Sequence, residues 1–420
     1  MKIRMERSVA DAGKKLRIRW SLLLALVVLY SGAAVAQSPS GVYVGSKVLR
    51  SMAKMYTAYG NYEKARPLAE RALAWARMNG ASDYELAACM IDLAFVYEKE
   101  GSLGDAEKMC ISALKLEEKI YYENHPYIAQ TLRILSCIYK ESGKYDQSLA
   151  AMERAMKIMR QSQLPDDKAM APFYVDFARL LATMGRLAES QEYYHKAQEL
   201  LKSSYAVDHL YMANVQASVA RLHSLQGKYV QAETELNHAL VVQQQVYGSN
   251  NQLLASTWLT LAMVCQQKRN YSRAEKLLTR TLEAVDNDSK TESLFLGPAL
   301  SGLGQLYISR GNYAKADDVC HRAVSVLEKS RGPDDVHTAM ALNNLAKLYI
   351  HQKKYSQAQE LCDKALDSLE RVYDRENPNV SEVRRTIARL NRRSAMVANA
   401  VVSQLNMDSI NELIALARPN

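Results

Sequence analysis

The residue patterns that build most catalytic sites are missing from this sequence. It has no His-Glu-x-x-His, no glycine-rich loop able to cradle a phosphate and no Gly-x-Ser-x-Gly. Those absences remove the helical zinc hydrolase, the nucleotide-binding loop and the nucleophile elbow. The six cysteines, Cys89, Cys110, Cys137, Cys265, Cys320 and Cys362, include no Cys-x-x-Cys and no paired metal-ligand spacing, which speaks against a metal knuckle or a redox pair. The carboxylates fall on amphipathic stretches, where they form the solvated face. The expectation is a protein that is not an enzyme and needs no cofactor or metal.

Long apolar runs are also missing, except for one near the start. Residues 1–19 hold seven basic and two acidic residues, an apolar run follows from Ser21 to Ala36, and Ala34-Val35-Ala36 precedes Gln37. A basic stretch, an apolar core shorter than the roughly 20 residues of a membrane helix and a small-residue end make up a secretory signal. Residues 1–36 are read as a signal peptide cleaved between Ala36 and Gln37, and an uncleaved membrane anchor is the alternative. Without the leader, the formal charge drops from +9 to +4 over 384 residues. Most of the basicity is therefore a targeting feature, and a nucleic-acid partner is poorly supported.

What the rest of the chain has is a repeat. A glycine-centred turn returns at Gly60, Gly101, Gly143, Gly185, Gly227, Arg269, Gly311 and Lys353, one step of 41 residues followed by six of 42. A period in this range marks a solenoid. Four residues before each turn stand Tyr56, Tyr97, Tyr139, Leu181, His223, Cys265, Tyr307 and Tyr349; seven before it, mostly alanine. This spacing predicts one face of a helix, here called helix A. Two residues after the turn comes Tyr or Leu. Small residues hold the positions five after (Ala65, Ala106, Ser148, Ser190, Ala232, Ala274, Ala316, Ala358) and twelve after. Seven residues is two helical turns, so both small positions face one neighbour on a second helix, B. The glycine supplies positive φ at the end of helix A; Arg269 and Lys353 depart from that rule and are expected to be strained. Asn124-His125-Pro126, Pro333-Asp334-Asp335 and Asn377-Pro378 read as helix starts. Cys110, Cys320 and Cys362 all lie nine residues after a turn and Cys265 fills a Tyr slot, so the thiols are expected buried and free.

The Leu-Ala, Tyr, Gly-x-Tyr, Ala, Ala pattern resembles the tetratricopeptide repeat. Its 42-residue period, with segments such as Asn124-His125-Pro126 and Leu342-Asn343-Asn344-Leu345-Ala346-Lys347-Leu348-Tyr349, resembles the kinesin-light-chain subtype. The resemblance implies an all-α, right-handed superhelical α-solenoid of tandem helix pairs, whose A helices line a concave groove that receives a partner's peptide or domain. It implies no motor role for a chain read as exported. The domain reading is a signal peptide (1–36), a short linker (37–42), eight repeats plus the first helix of a ninth (43–392), and a capping helix and tail (393–420) that covers the last repeat.

Positions 13, 10, 6, 3 and 2 before the turn lie opposite the packing face of helix A. They collect Lys47, Arg50, Lys54, Lys99, Arg133, Lys140, Arg179, Arg221 and Lys347 against Glu98 and Glu141, an excess of seven positive charges. The expected partner is a protein or peptide; if the excess is functional, it is an acidic one, held by arginine–carboxylate pairs with Asn343 bonding a peptide backbone. The function expected is a non-catalytic exported binding scaffold, periplasmic or secreted. The alternative is a membrane-anchored assembly factor of the envelope.

Mass spectrometry of the purified native protein should find Gln37 at its N-terminus; an intact Met1 in the membrane fraction would favour the anchored alternative.

Overall fold

The computed structural model describes residues 45–162, 167–202, 209–286, 294–373, 375 and 377–416. The signal peptide, the Ala36/Gln37 junction and the 37–42 linker lie outside the described residues. Among the described residues there are seventeen α-helices and no strands, and no helix is long and apolar enough to cross a membrane.

The A helices are α1 (Ser46–Ala58), α3 (Asp83–Glu100), α5 (Pro126–Glu141), α7 (Ala171–Thr183), α9 (Leu210–Leu225), α11 (Ala255–Gln267), α13 (Leu296–Ser309) and α15 (Val336–His351). Each is followed by its B helix: α2 (Tyr62–Met78), α4 (Leu103–Ile120), α6 (Tyr145–Gln161), α8 (Leu187–Lys202), α10 (Tyr229–Tyr247), α12 (Tyr271–Asp286), α14 (Tyr313–Arg331) and α16 (Tyr355–Glu370). Helix α17 (Pro378–Leu416) runs unbroken for 39 residues. The ninth A helix and the expected cap are thus one rod. Val380, Val383 and Leu390 of its first half are buried. Every residue from 391 to 399 is exposed, Met396 at 71%. Over those residues α17 overhangs the solenoid and does not fold back to cover the last repeat as expected.

Eight identical turns join A to B. The glycines have φ from 73° to 88°, and Arg269 and Lys353 adopt the same conformation at 59° and 62°. In each, the N–H after the turn donates to the carbonyl four residues before it, as in Asn61 to Tyr56 at 2.9 Å and Asn270 to Cys265 at 2.8 Å, which closes the helix with a left-handed cap. The positions five after the turn are fully buried, so the B-helix backbone approaches its neighbours closely there. Where serine replaces alanine the hydroxyl finds a carbonyl: Ser148 donates to Ser136 O at 2.7 Å and Ser190 to Ala178 O at 2.7 Å. All six thiols are free; Cys137 is half-buried and the other five are buried.

The repeat pattern did not reveal that the solenoid touches itself. Contacts recur at separations of 190 to 192 residues, roughly four and a half repeats. The edge carrying the A–B turns of the first coil packs against the edge carrying the B–A loops of the second. Asn251 donates to Tyr59 O at 3.0 Å and Gln252 hydrogen-bonds Gly60 O. Arg331, with 7% of its side chain exposed, pairs with Glu141 at 2.8 Å. Tyr145 donates to Asp335 at 3.4 Å, and Tyr373 to the Thr183 carbonyl. The contact explains the turn residues. A Cβ on Gly60, Gly143 or Gly185 would meet Asn251, Asp335 or Asn377 within 3.1, 3.4 and 2.5 Å, whereas one on Gly227 or Gly311 would meet nothing within 4 Å. Arg269 and Lys353 stand among the second-coil turns, where no further coil arrives. Two residues after the turn, Tyr62, Leu103 and Tyr145 of the first coil are buried, while Leu187 and the second-coil Tyr229, Tyr271, Tyr313 and Tyr355 are half-buried.

The charges at this junction are set by burial and by one another. Burial alone would raise the Glu141 carboxyl, but Lys140 and Arg331 outweigh it and hold it well below the usual carboxylate range. Burial, followed by Arg331, Arg221 and Lys140 and only partly offset by Glu141, pushes His337 down to about 3. A histidine kept neutral in the fold contributes stability that is complete above its ordinary value of 6.5 and is lost as the pH falls toward 3. The depressed Glu141 adds a loss that begins only below the ordinary carboxylate value.

Thermal melts should therefore fall progressively as the pH drops below about 6.5, with His337→Asn removing the upper part of that slope. Replacing Ala232 or Ala316 by Leu should overpack a helix crossing and cost about 1–3 kcal/mol; unchanged melting curves would place the crossing elsewhere. Arg269→Gly should stabilise by about 1 kcal/mol by relieving a left-handed side chain, while Gly143→Lys, under the second coil, should destabilise; chemical denaturation of both separates the two roles of the turn.

Candidate partner-binding surface

The A helices supply the candidate surface. Lys140 at 17% side-chain exposure, Arg133 at 23% and Arg179 at 43% share one carboxylate environment with Asp176. Arg133 pairs with Asp176, Arg179 lies 3.5 Å from the same carboxylate, and Arg179 also donates to Ser218 Oγ at 2.9 Å. Burial would raise the Asp176 carboxyl, yet the two guanidiniums hold it below its ordinary value. Cys137 belongs to this wall: burial pushes its thiol up to about 12, with Asp176, Lys140, Glu98 and Arg133 around it. Positions six and ten before successive turns thus form one polar surface, as the register predicts.

The remaining expected residues are placed less uniformly. Arg50 and Lys54 both pair with Asp92, at 2.6 and 3.1 Å. Lys140 pairs with Glu141 at 2.7 Å and Lys347 with Glu382 at 2.5 Å. Asn343 is fully buried, and neither atom of its amide has a partner among the described residues. Lys47 and Arg221 are exposed. The sequence reading missed the answering acids. Asp92 and Asp176 stand nine residues before their turns, one position from those collected, and bridge to Arg50 and Arg133 of the preceding repeat. With these two and Glu382 counted, the excess of seven positive charges becomes four. An acid 42 or 43 residues after a base was the available signal.

Successive A helices touch one another, so their faces form one continuous surface along the solenoid, on which Arg179 and Arg221 are exposed.

The tetratricopeptide pattern is matched independently. The model of the MalT-like TPR region matches residues 30–293, and a tetratricopeptide-repeat model matches 296–361 and 337–401. Among curated proteins none matches in sequence. Among solved structures, a Podosopora anserina protein with nearly identical kinesin-light-chain TPR-like repeats is 18% identical, covers 48% of this chain and 97% of that one, and has a TM-score of 0.37. BtubC (BKLC) from P. vanneervenii is also 18% identical, with coverages of 58% and 92% and a TM-score of 0.39. A Rap protein, solved in complex with competence and sporulation factor, is 11% identical; the match covers 84% of this chain and 99% of that one, with a TM-score of 0.55 that shows a shared fold. With one family model spanning more than half of its length, the chain belongs to the tetratricopeptide-repeat proteins, in the family of the MalT-like TPR region.

Proposed function

We propose that the protein is an exported, non-catalytic scaffold that binds an acidic segment of a partner protein on its A-helix wall. The observation that carries this reading is a shortage of acid. Asp176 alone answers both Arg133 and Arg179, and Arg221, at the same register position one repeat on, is exposed with no ion-pair partner among the described residues. Guanidiniums left over on this surface favour carboxylates that arrive in trans. Tetratricopeptide repeats build interaction surfaces, and the Rap protein that shares the fold was solved in complex with competence and sporulation factor.

Changing Arg133, Arg179 and Arg221 together to Ala should weaken binding of a fluorescent Glu-rich decapeptide by at least about tenfold, on the scale of lost charge-assisted hydrogen bonds. Changing Lys108, Lys196 and Lys276 of the B helices should leave binding near the parent value. Parent affinity should fall as salt rises, since exposed charges are screened over about 8 Å at physiological ionic strength. Equal affinity in both triple variants, or binding indifferent to salt, would remove this wall as the site.

A further inference from the structure

We propose that the uncovered edge of the second coil, together with the base of the α17 overhang, docks on an anionic lipid bilayer. The inference is independent of what the A-helix surface binds.

Three observations carry it. The first is a difference in charge between the two coils. From two residues before each A–B turn to six after it, the four first-coil turns hold five basic and seven acidic residues, and the four second-coil turns hold eight basic and three acidic. The net charge is therefore −2 on the edge that the second coil covers and +5 on the edge where no further coil arrives. Lys228, Lys268, Arg269, Arg310, Lys353 and Lys354 are exposed there. Glu233 answers Lys268 and Arg273, and Glu275 answers Arg310; Lys228, Arg269, Lys353 and Lys354 have no ion-pair partner among the described residues. The second observation is where α17 leaves the solenoid. Each A helix ends at the A–B edge, and α17 is the ninth of them, so its overhang projects from the basic edge. His351, two residues before the last turn, has Arg389 and Arg393 beside it. Arg392 and Arg393 stand at the base of the overhang, and Met396 and Val397 follow, 71% and 41% exposed. Arginine at headgroup level with apolar residues just beyond is the order in which a helix enters a membrane interface. The third observation is a pair of aliphatic side chains on the same edge. Leu225 and Val230 flank the Gly227 turn and are 39% and 71% exposed.

These features select among polyanions. A nucleic acid offers phosphates but no apolar phase for Val230 and Met396, and an acidic protein would have to pair with cations spread singly over four turns. An anionic bilayer supplies a sheet of phosphates with hydrocarbon just beneath. Each lysine or arginine near such a surface raises the partition about fivefold, so an excess of five multiplies it about a thousandfold or more.

Sedimentation with sucrose-loaded vesicles tests the proposal, comparing phosphatidylcholine alone with a mixture holding about 30% phosphatidylglycerol. The purified protein and three variants are used. The N-terminus of every sample is read by mass spectrometry, because an intact leader would itself hold a bilayer, and only samples that share an N-terminus are compared. The turn variant, Lys228→Gln/Arg269→Gly/Lys353→Gly/Lys354→Gln, removes four charges, and its glycines suit the left-handed turns. The overhang variant is Met396→Ser/Val397→Ser. The control, Lys108→Gln/Lys196→Gln/Lys276→Gln/Lys364→Gln, removes four exposed charges from the B helices. The parent should bind anionic vesicles at least about tenfold more tightly than neutral ones and lose that preference at about 1 M salt, where charges are screened within about 3 Å. The turn variant should bind at least about a hundredfold more weakly, with the control within about threefold of the parent. Loss of the apolar pair should weaken binding about tenfold. Equal binding to neutral and anionic vesicles, equal loss in the turn variant and the control, or an overhang variant that binds like the parent would overturn the proposal. Duplex DNA or the Glu-rich decapeptide held through the turn cations by a parent that ignores anionic vesicles would overturn it too, assigning the edge to a nucleic acid or an acidic protein. If circular dichroism shows the turn variant unfolded, the parent's salt-sensitive preference and the overhang variant decide by the same criteria.

Discussion

Helices can approach to backbone distance only where side chains are small, and in this protein that approach is repeated at the same two register positions eight times. Ala65, Ala106, Ser148 and Ser190 in the first coil, and Ala232, Ala274, Ala316 and Ala358 in the second, have no exposed surface. Because each crossing is made by the same atoms, each repeat is rotated against the last by nearly the same amount, and a constant rotation summed along a chain becomes a superhelix. After roughly four and a half repeats the chain returns above itself, and the edge contacts at 190 to 192 residues follow.

That return gives the turn glycines a second role. Every A–B turn needs a left-handed residue, and glycine meets the need without strain. The turns at Gly60, Gly143 and Gly185 also need the absence of a Cβ, because Asn251, Asp335 and Asn377 sit on them. Arg269 and Lys353 occupy second-coil turns, where they meet only the first requirement. What reads in sequence as a departure from the turn rule is thus a relaxed constraint with a position in space.

The A-helix face is less basic than its own register suggests. Its charges are close enough to be answered internally, and Asp92, Asp176, Glu141 and Glu382 do so. The excess that remains is smaller and concentrated where Arg179 and Arg221 follow one another.

The fold was legible in the chain because its determinants are local and repeated. Turn conformation, small-residue register and the start of each helix pair depend on residues within one 42-residue unit, and eight copies state the rule eight times. The face of helix A that carries Arg133, Arg179 and Arg221 was legible for the same reason, since helical periodicity fixes which positions share a side. The acids that answer it were harder to see, because Arg50–Asp92 and Arg133–Asp176 join different register positions in adjacent repeats. The overhang of α17 past residue 391 depends on whether anything lies beside it to bury Met396, which no helical pattern states. Coil closure was hidden altogether. It arises from a small rotation accumulated over about 190 residues, and the contacts that secure it, Glu141 with Arg331 and Thr183 with Tyr373, lie between segments with no sequence relation to each other. Local side-chain chemistry determined the repeat, and only the summed geometry of all the repeats decided that the second coil rests on the first.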